Sequence, residues 1–248
     1  MEFMHDLAAV ILAAGQGKRM QSDLPKVLHT VGDRPMVLHV IDAVKALGAS
    51  PVIVVTGYEA ERVEAACAGA GVAFARQHQQ LGTGHAVMQT QPHLASFAGT
   101  VLVLNGDVPG LRRDTMRRFV EYHRSHGGAA TVLTARLDDP TGYGRIVRDD
   151  AGNLARIVEH RDATPAERAI HEVNSGLFCF DAQALFGALA RVTRRNAQNE
   201  YYLTDVIGVL AAEGKGVAAY PIDDAREIAG VNNPDELDAI RRFVAEQS

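Results

Sequence analysis

Short, continuous apolar runs alternate with longer segments of helical period through the first half of this chain. The run 8–13 (AAVILA) is apolar at every position, as a strand buried on both faces of a parallel sheet requires. From Pro35 to Leu47, apolar residues recur at Met36, Val40, Ala43, Val44 and Leu47, with Gly48 directly after. That spacing predicts a helix with proline in its first turn and glycine just past its end. Residues 51–56 (PVIVVT) predict a second strand, 59–68 a second helix and 72–76 a short third strand. A helix over 85–91, a strand over 100–104, a helix over 114–124 and a strand over 129–135 continue the alternation. Repeated strand–helix–strand units imply right-handed crossovers and an α/β fold on a doubly wound, mostly parallel sheet.

The rhythm changes after Asp138. Strands are predicted over 145–148 and 154–159, joined by the turn-rich Asp149-Asp150-Ala151-Gly152-Asn153. A strand over 173–180 follows, then helices over 181–191 and 203–213, a strand over 217–221 and a closing helix from Pro234 to about Glu246. This second half reads as a small β extension of a Rossmann-like sheet, building one wall of a cleft. No Pro/Gly/Ser-rich linker divides the chain and no internal repeat is visible, so one compact unit is expected.

Composition narrows the partners. Lys and Arg number 25 against 30 Asp and Glu, a formal charge of −5, with no basic block. Such a chain lacks the electrostatic footprint of a nucleic-acid binder. No apolar run reaches the roughly 18 residues that span a membrane. The start, Met1 to Asp6, carries acid where a secretory signal carries base. Two cysteines make neither a disulfide framework nor a zinc cluster, and the ten histidines show no paired metal spacing. A cytoplasmic protein acting on a small substrate is the expectation. Cys67 and Cys179 read as buried, inert thiols, Met36, Met88 and Met116 as core, and the pairs Arg112-Arg113 and Arg117-Arg118 as a solvated helix face.

Candidate chemistry begins where the first strand ends, in Leu12-Ala13-Ala14-Gly15-Gln16-Gly17-Lys18-Arg19-Met20. Small residues and two glycines let backbone N–H groups approach an anion. Lys18, Arg19 and Lys26 put three cations at the carboxyl end of that strand, which suits a triphosphate. A solvated turn bearing surface charge is the competing reading. The loop lacks the wider glycine spacing of a GxxxxGK(S/T) P-loop. Met20 stands where a dinucleotide fingerprint needs its third glycine, so a nicotinamide dehydrogenase fits poorly.

This loop, followed by Leu24-Pro25-Lys26, resembles the signature of sugar-1-phosphate nucleotidyltransferases. The wording is most similar to the uridyltransferase domain of the bacterial N-acetylglucosamine-1-phosphate uridyltransferase family. Further matches follow in order at 80–86 (QLGTGHA), 106–109 (GDVP), 139–145 (DPTGYGR), 157–160 (IVEH), 172–176 (EVNSG), 199–205 (NEYYLTD) and 230–233 (GVNN). Together they cover about residues 8 to 235.

The resemblance implies transfer of UMP from UTP to N-acetylglucosamine 1-phosphate, giving UDP-N-acetylglucosamine, a peptidoglycan precursor, and pyrophosphate. Nucleophile and leaving group are both anionic, so charge neutralisation and alignment matter more than a general base. Arg19 and Lys26 are implied in that neutralisation, and Asp107 and Asn232 as ligands of Mg²⁺, which takes few protein oxygens. Taken alone, Asp107 is a turn aspartate before Pro109, and Asn232 a helix cap before Pro234. Nucleotide contacts are implied at Leu12, Ala13, Ala14, Gly15, Gly82 and Thr83. Gln77 is the candidate for the base: a carboxamide offers the donor and acceptor that match uracil's N3–H and O4 edge, which thymine shares. Sugar contacts are implied at Gly144, Glu159, Asn174, Thr204 and Asn232, with Tyr202 nearby.

Three departures qualify the resemblance. Asn105 stands where tyrosine is usual before Gly-Asp, Gly110 where leucine is usual, and no hexapeptide β-helix repeats follow. An acetyltransferase domain and its trimer contacts are therefore not expected, and a monomer or dimer is. The expected organisation is an extension over 1–7 and a nucleotidyltransferase domain over 8–248, with a nucleotide part over 8–137 and a sugar part over 138–248. Another sugar 1-phosphate, dTTP in place of UTP, or a non-catalytic sugar-nucleotide sensor are the alternatives.

Overall fold

The structure, a computed structural model, describes residues 6–247 apart from the side chain of Lys18. Most of the expected extension over 1–7, and the charge expected from Lys18, lie outside the described residues. Strand β1 (Leu7–Ala13) leads through single 3₁₀ turns at Lys18–Met20 and Lys26–Leu28 into a short ribbon, β2 (Thr30–Val31) and β3 (Arg34–Pro35). Next come α1 (Met36–Ala46), β4 (Val52–Thr56), α2 (Ala60–Ala66), β5 (Ala73–Arg76), α3 (Thr83–Met88), β6 (Thr100–Asn105), α4 (Arg113–His126) and β7 (Ala130–Arg136). The hairpin β8 (Arg145–Arg148) and β9 (Leu154–Val158) is followed by the single-turn α5 (Pro165–Arg168) and β10 (Glu172–Asp181). Helices α6 (Ala182–Leu189) and α7 (Asp205–Ala212), strand β11 (Val217–Pro221) and α8 (Pro234–Ala245) complete the described chain.

The main sheet runs β11-β7-β10-β6-β1-β4-β5. β1 pairs in parallel with β4 and β6, β4 with β5, and β11 with β7, so the mostly parallel, Rossmann-like expectation holds. One correction concerns the second half, which is more than an extension. β10 runs antiparallel between β6 and β7, and β11 closes the edge. Only β8 and β9 stand off the main sheet, joined to β10 where Val173 faces Arg145. The reason lies in Leu177-Phe178-Cys179-Phe180: an apolar run with both faces covered belongs inside a sheet.

Alternate residues of β1 feed two apolar layers. Ala8 and Val10 pack with residues of α3, α6 and α7; Leu7, Ala9, Ile11 and Ala13 pack with α1 and α4. Each fully buried Leu, Ile or Phe contributes about 1.5–3 kcal/mol, so these layers are the main favourable term. A smaller cluster of Met20, Val31 and Met36 with Leu237, Ile240 and Phe243 docks α8 beside the β1 loop. That docking brings Asn232 to the end of the sheet.

Local boundaries move for physical reasons. Pro35 precedes α1 instead of entering its first turn, because its extended backbone pairs with Thr30 in the ribbon. α3 starts at Thr83, two residues early, and a separate 3₁₀ turn spans Gln91–Leu94. Arg112 is exposed, as expected, but it caps α4 from just outside the helix: its N–H donates to Glu227 Oε2 at 3.0 Å, and its guanidinium lies 5.5 Å over the Phe243 ring. Cys67 and Cys179 are buried, and burial pushes the Cys67 thiol up to about 11. Met36 and Met116 are core, and Met88 packs at its edge. Among the described residues no helix is long and apolar enough to cross a membrane.

Candidate active site

A cleft of about 570 Å³ opens over the carboxyl ends of β1 and β6, where loops of a doubly wound sheet converge. Its lining includes Leu12, Ala13, Ala14, Gly15, Arg19, Lys26, Gln77, Gly82, Thr83, Asp107, Gly144, Glu159, Asn174, Thr204 and Asn232. Fifteen of the sixteen residues singled out in the sequence thus share one cavity. Tyr202 does not line it. The ring is buried behind the wall, where its hydroxyl donates to Asp162 Oδ2 at 3.1 Å and accepts from Gln198 Nε2 at 2.9 Å.

The cationic end is built from three distant segments. Gly17 takes a left-handed backbone (φ +66), and a Cβ there would lie 2.6 Å from that of Lys26, so glycine lets the two turns stack. Lys26 Nζ lies 2.5 Å from Asp107 Oδ2 and donates to Asn232 Oδ1 at 3.3 Å. Asp107 follows β6, and all but 7% of its surface is covered. Asn232 is oriented from behind: its Nδ2 donates to Glu236 Oε2 at 3.1 Å, which leaves Oδ1 facing the ammonium. The helix cap before Pro234 is Asn233, whose side chain accepts the Glu236 N–H at 2.9 Å; Asn232 is not that cap.

The next wall is the 77–84 turn. Gln77 is 4% exposed, and its Nε2 donates to the Gly82 carbonyl at 3.0 Å. Gly82 (φ +104) lies so close to the 200–203 segment that a Cβ would fall 2.6 Å from the Tyr201 carbonyl oxygen. Three bonds stitch the two segments together. Gly84 N–H donates to Tyr201 O at 2.8 Å, Tyr201 N–H to Leu81 O at 2.7 Å, and Leu203 N–H to the Thr83 hydroxyl at 3.1 Å.

Across the cleft, Glu159 Oε1 accepts the Thr204 hydroxyl at 2.9 Å. Burial raises its carboxyl above the usual range, while the Thr204 bond works against that rise. Asp205, beside it, is pushed up to about 6 by burial and by Asp162. Asn174 sits where β10 bulges out of register with β7; its N–H donates to Gly144 O at 2.9 Å and its Oδ1 accepts the Gly176 N–H at 2.8 Å. Side chains missed in the sequence also line the cleft: Gln80, Asn105, Tyr143, Ser175, Glu200 and Glu236. Glu236 had a legible signal, since Asn233 followed three residues later by Glu is a capping-box spacing. The others lie in or beside the quoted motifs, but nothing in their spacing singled them out as lining residues.

A glycine-containing loop beside a carboxylate–ammonium pair, at the end of this sheet, is the arrangement that a nucleotidyltransferase class of site calls for. The chain belongs to the family of MobA-like NTP transferase domains, whose model matches residues 9–199. It is 48% identical over 239 residues to the bifunctional protein GlmU of Pelotomaculum thermopropionicum, covering 96% of this chain and 52% of that protein. With GlmU of Acidovorax sp. the identity is 52% over 246 residues, covering 96% and 51%. The chain thus spans about half the length of the curated relatives it matches. A crystal structure of UDP-glucose pyrophosphorylase complexed with UDP-glucose shares the fold, with a TM-score of 0.76, 15% identity, and 97% and 99% coverage.

Proposed function

We propose that this cleft transfers UMP from UTP to N-acetylglucosamine 1-phosphate, giving UDP-N-acetylglucosamine and pyrophosphate. The observation that carries the reading is Lys26, held between Asp107 and Asn232 where the phosphate loop, the Gln77 wall and the Glu159 wall meet. The ordered motifs and the GlmU relatives support the choice of substrates. In this reading 8–137 supply the nucleotide part and 138–248 the sugar part. UTP and sugar phosphates are cytoplasmic metabolites, so the reaction belongs there, and nothing in it calls for a trimer.

A sugar-phosphate oxygen attacks the α-phosphorus, and the bond to the departing pyrophosphate breaks. No general base is required, because the nucleophile is already ionised. Backbone N–H groups over 12–15 face the phosphates, Arg19 and Lys26 offset their charge, and Lys26 draws the two reacting phosphates together. Gln77 reads the base, with Gly82 and Thr83 closing beside it. Gly144, Glu159, Asn174 and Thr204 hold the sugar, Glu159 by accepting from its hydroxyls and Asn174 through its free Nδ2.

The donor set suits Mg²⁺: a carboxylate and a carboxamide oxygen, both hard ligands, already face one cation, the Lys26 ammonium. Asp107 and Asn232 would hold the ion, which when bound neutralises phosphate charge. The test is pyrophosphate release across UTP, dTTP and CTP paired with N-acetylglucosamine 1-phosphate and glucose 1-phosphate. UTP with N-acetylglucosamine 1-phosphate should lead, and Asp107→Ala should lose at least about a hundredfold while still melting cooperatively above the assay temperature. Another leading pair would replace the substrates; full activity in Asp107→Ala would sink the metal assignment.

A further inference from the structure

Gln77 is held from behind by two acceptors. Its Nε2 donates to the Gly82 carbonyl at 3.0 Å and lies 3.1 Å from Nδ1 of His85. An inverted amide would set Oε1 against the carbonyl oxygen, acceptor to acceptor. The orientation also requires Nδ1 to be the bare nitrogen of a neutral imidazole, with the proton on Nε2. Burial lowers the pKa of His85 and so favours the neutral ring. On its far side, His85 Nε2 lies 3.2 Å from the amide of Gln89. Gln89 Nε2 also donates to the His85 carbonyl at 2.9 Å, but this amide is half-buried at the end of α3. When it turns its oxygen toward the imidazole N–H, water can take over that carbonyl; Gln77, 4% exposed and tied to the Gly82 carbonyl, has no such exchange. The imidazole is itself stacked on Tyr201, centroids 6.2 Å apart and planes 26° apart, within the stitched segment.

Both amide hydrogens of Gln77 are thus engaged, and Oε1 is the polar atom left for a ligand. We propose that His85 is a positioning residue that locks Gln77 with its oxygen toward the cleft, so the site takes a base edge bearing an N–H and rejects one bearing an acceptor. Uracil presents N3–H there and cytosine presents a bare N3. The inference rests on Gln77 facing the base, as proposed above, and goes beyond it by assigning the source of the discrimination.

The test is the ratio of kcat/KM for UTP and CTP, with N-acetylglucosamine 1-phosphate as acceptor, in the intact chain and its variants. His85→Phe keeps a ring against Tyr201 and removes the acceptor; His85→Leu repeats the arm should that variant fold poorly. His85→Asn places Oδ1 where Nδ1 was. The Phe variant should lose about tenfold in preference for UTP, the scale of one neutral hydrogen bond, and Asn should restore most of it. Gln77→Ala separates the failures. If it abolishes the preference while His85→Phe keeps it, or if His85→Phe slows both nucleotides equally, the role of His85 is overturned. If Gln77→Ala keeps the preference, the base assignment falls and takes this inference with it.

Discussion

His123 lies under the last turn of α4, with Nδ1 2.9 Å from the Thr131 hydroxyl, and burial lowers its pKa to about 4. In the unfolded chain the imidazole titrates near 6.5, so below that pH the unfolded state takes up a proton that the fold refuses. The stability that His123 contributes is complete above pH 6.5 and declines as the pH falls from 6.5 toward about 4. His123→Gln, which can still bond Thr131, should flatten the melting-temperature profile across that window; an unchanged slope would show that other groups set acid stability. Residues differ in how far the sequence discloses them. Asp107 and Lys26 lie in motifs whose spacing alone raises charge and turn chemistry. Their ion pair does not, because it joins segments 81 positions apart and depends on α8 bringing up Asn232. Tyr202 lies near the sugar wall, as expected, but behind it: a sequence gives a residue's place and not which side of the wall its hydroxyl meets.

At the scale of elements, the stitch between the 81–84 turn and the 201–203 segment joins the nucleotide and sugar walls. Gly82→Ala must both hold φ near +104 and fit a Cβ 2.6 Å from a carbonyl oxygen. The variant should melt about 5 °C lower and raise KM for both substrates. Steady-state kinetics decides: a rise for UTP alone would mean that the turn serves only its own side. The alternating periods of β1, α1, β4 and α4 were legible because they are local. The neighbours of β10 were not, since pairing is long-range and a central strand looks alike whichever strands flank it. Its apolar run at 177–180 fits the interior place that the structure gives it, but a strand of the expected extension could carry the same run.

For the whole molecule, β10 threads chain from the later half into the sheet of the earlier half. Strand β7 pairs with β10 on one side and β11 on the other, and both lie downstream of it in the chain. During synthesis, then, β7 leaves the ribosome with no partner yet made and waits until residues 172–181 arrive. The first four strands of the parallel core can assemble early, but completion of the sheet is deferred until residues 172–221 have been made. A chain ended at residue 137 should therefore show β7 open to protease while residues 7–105 are protected; equal protection of β7 would show that it finds another partner first. The exposed, aggregation-prone interval of this protein's life is thus set by the order in which its strands are made.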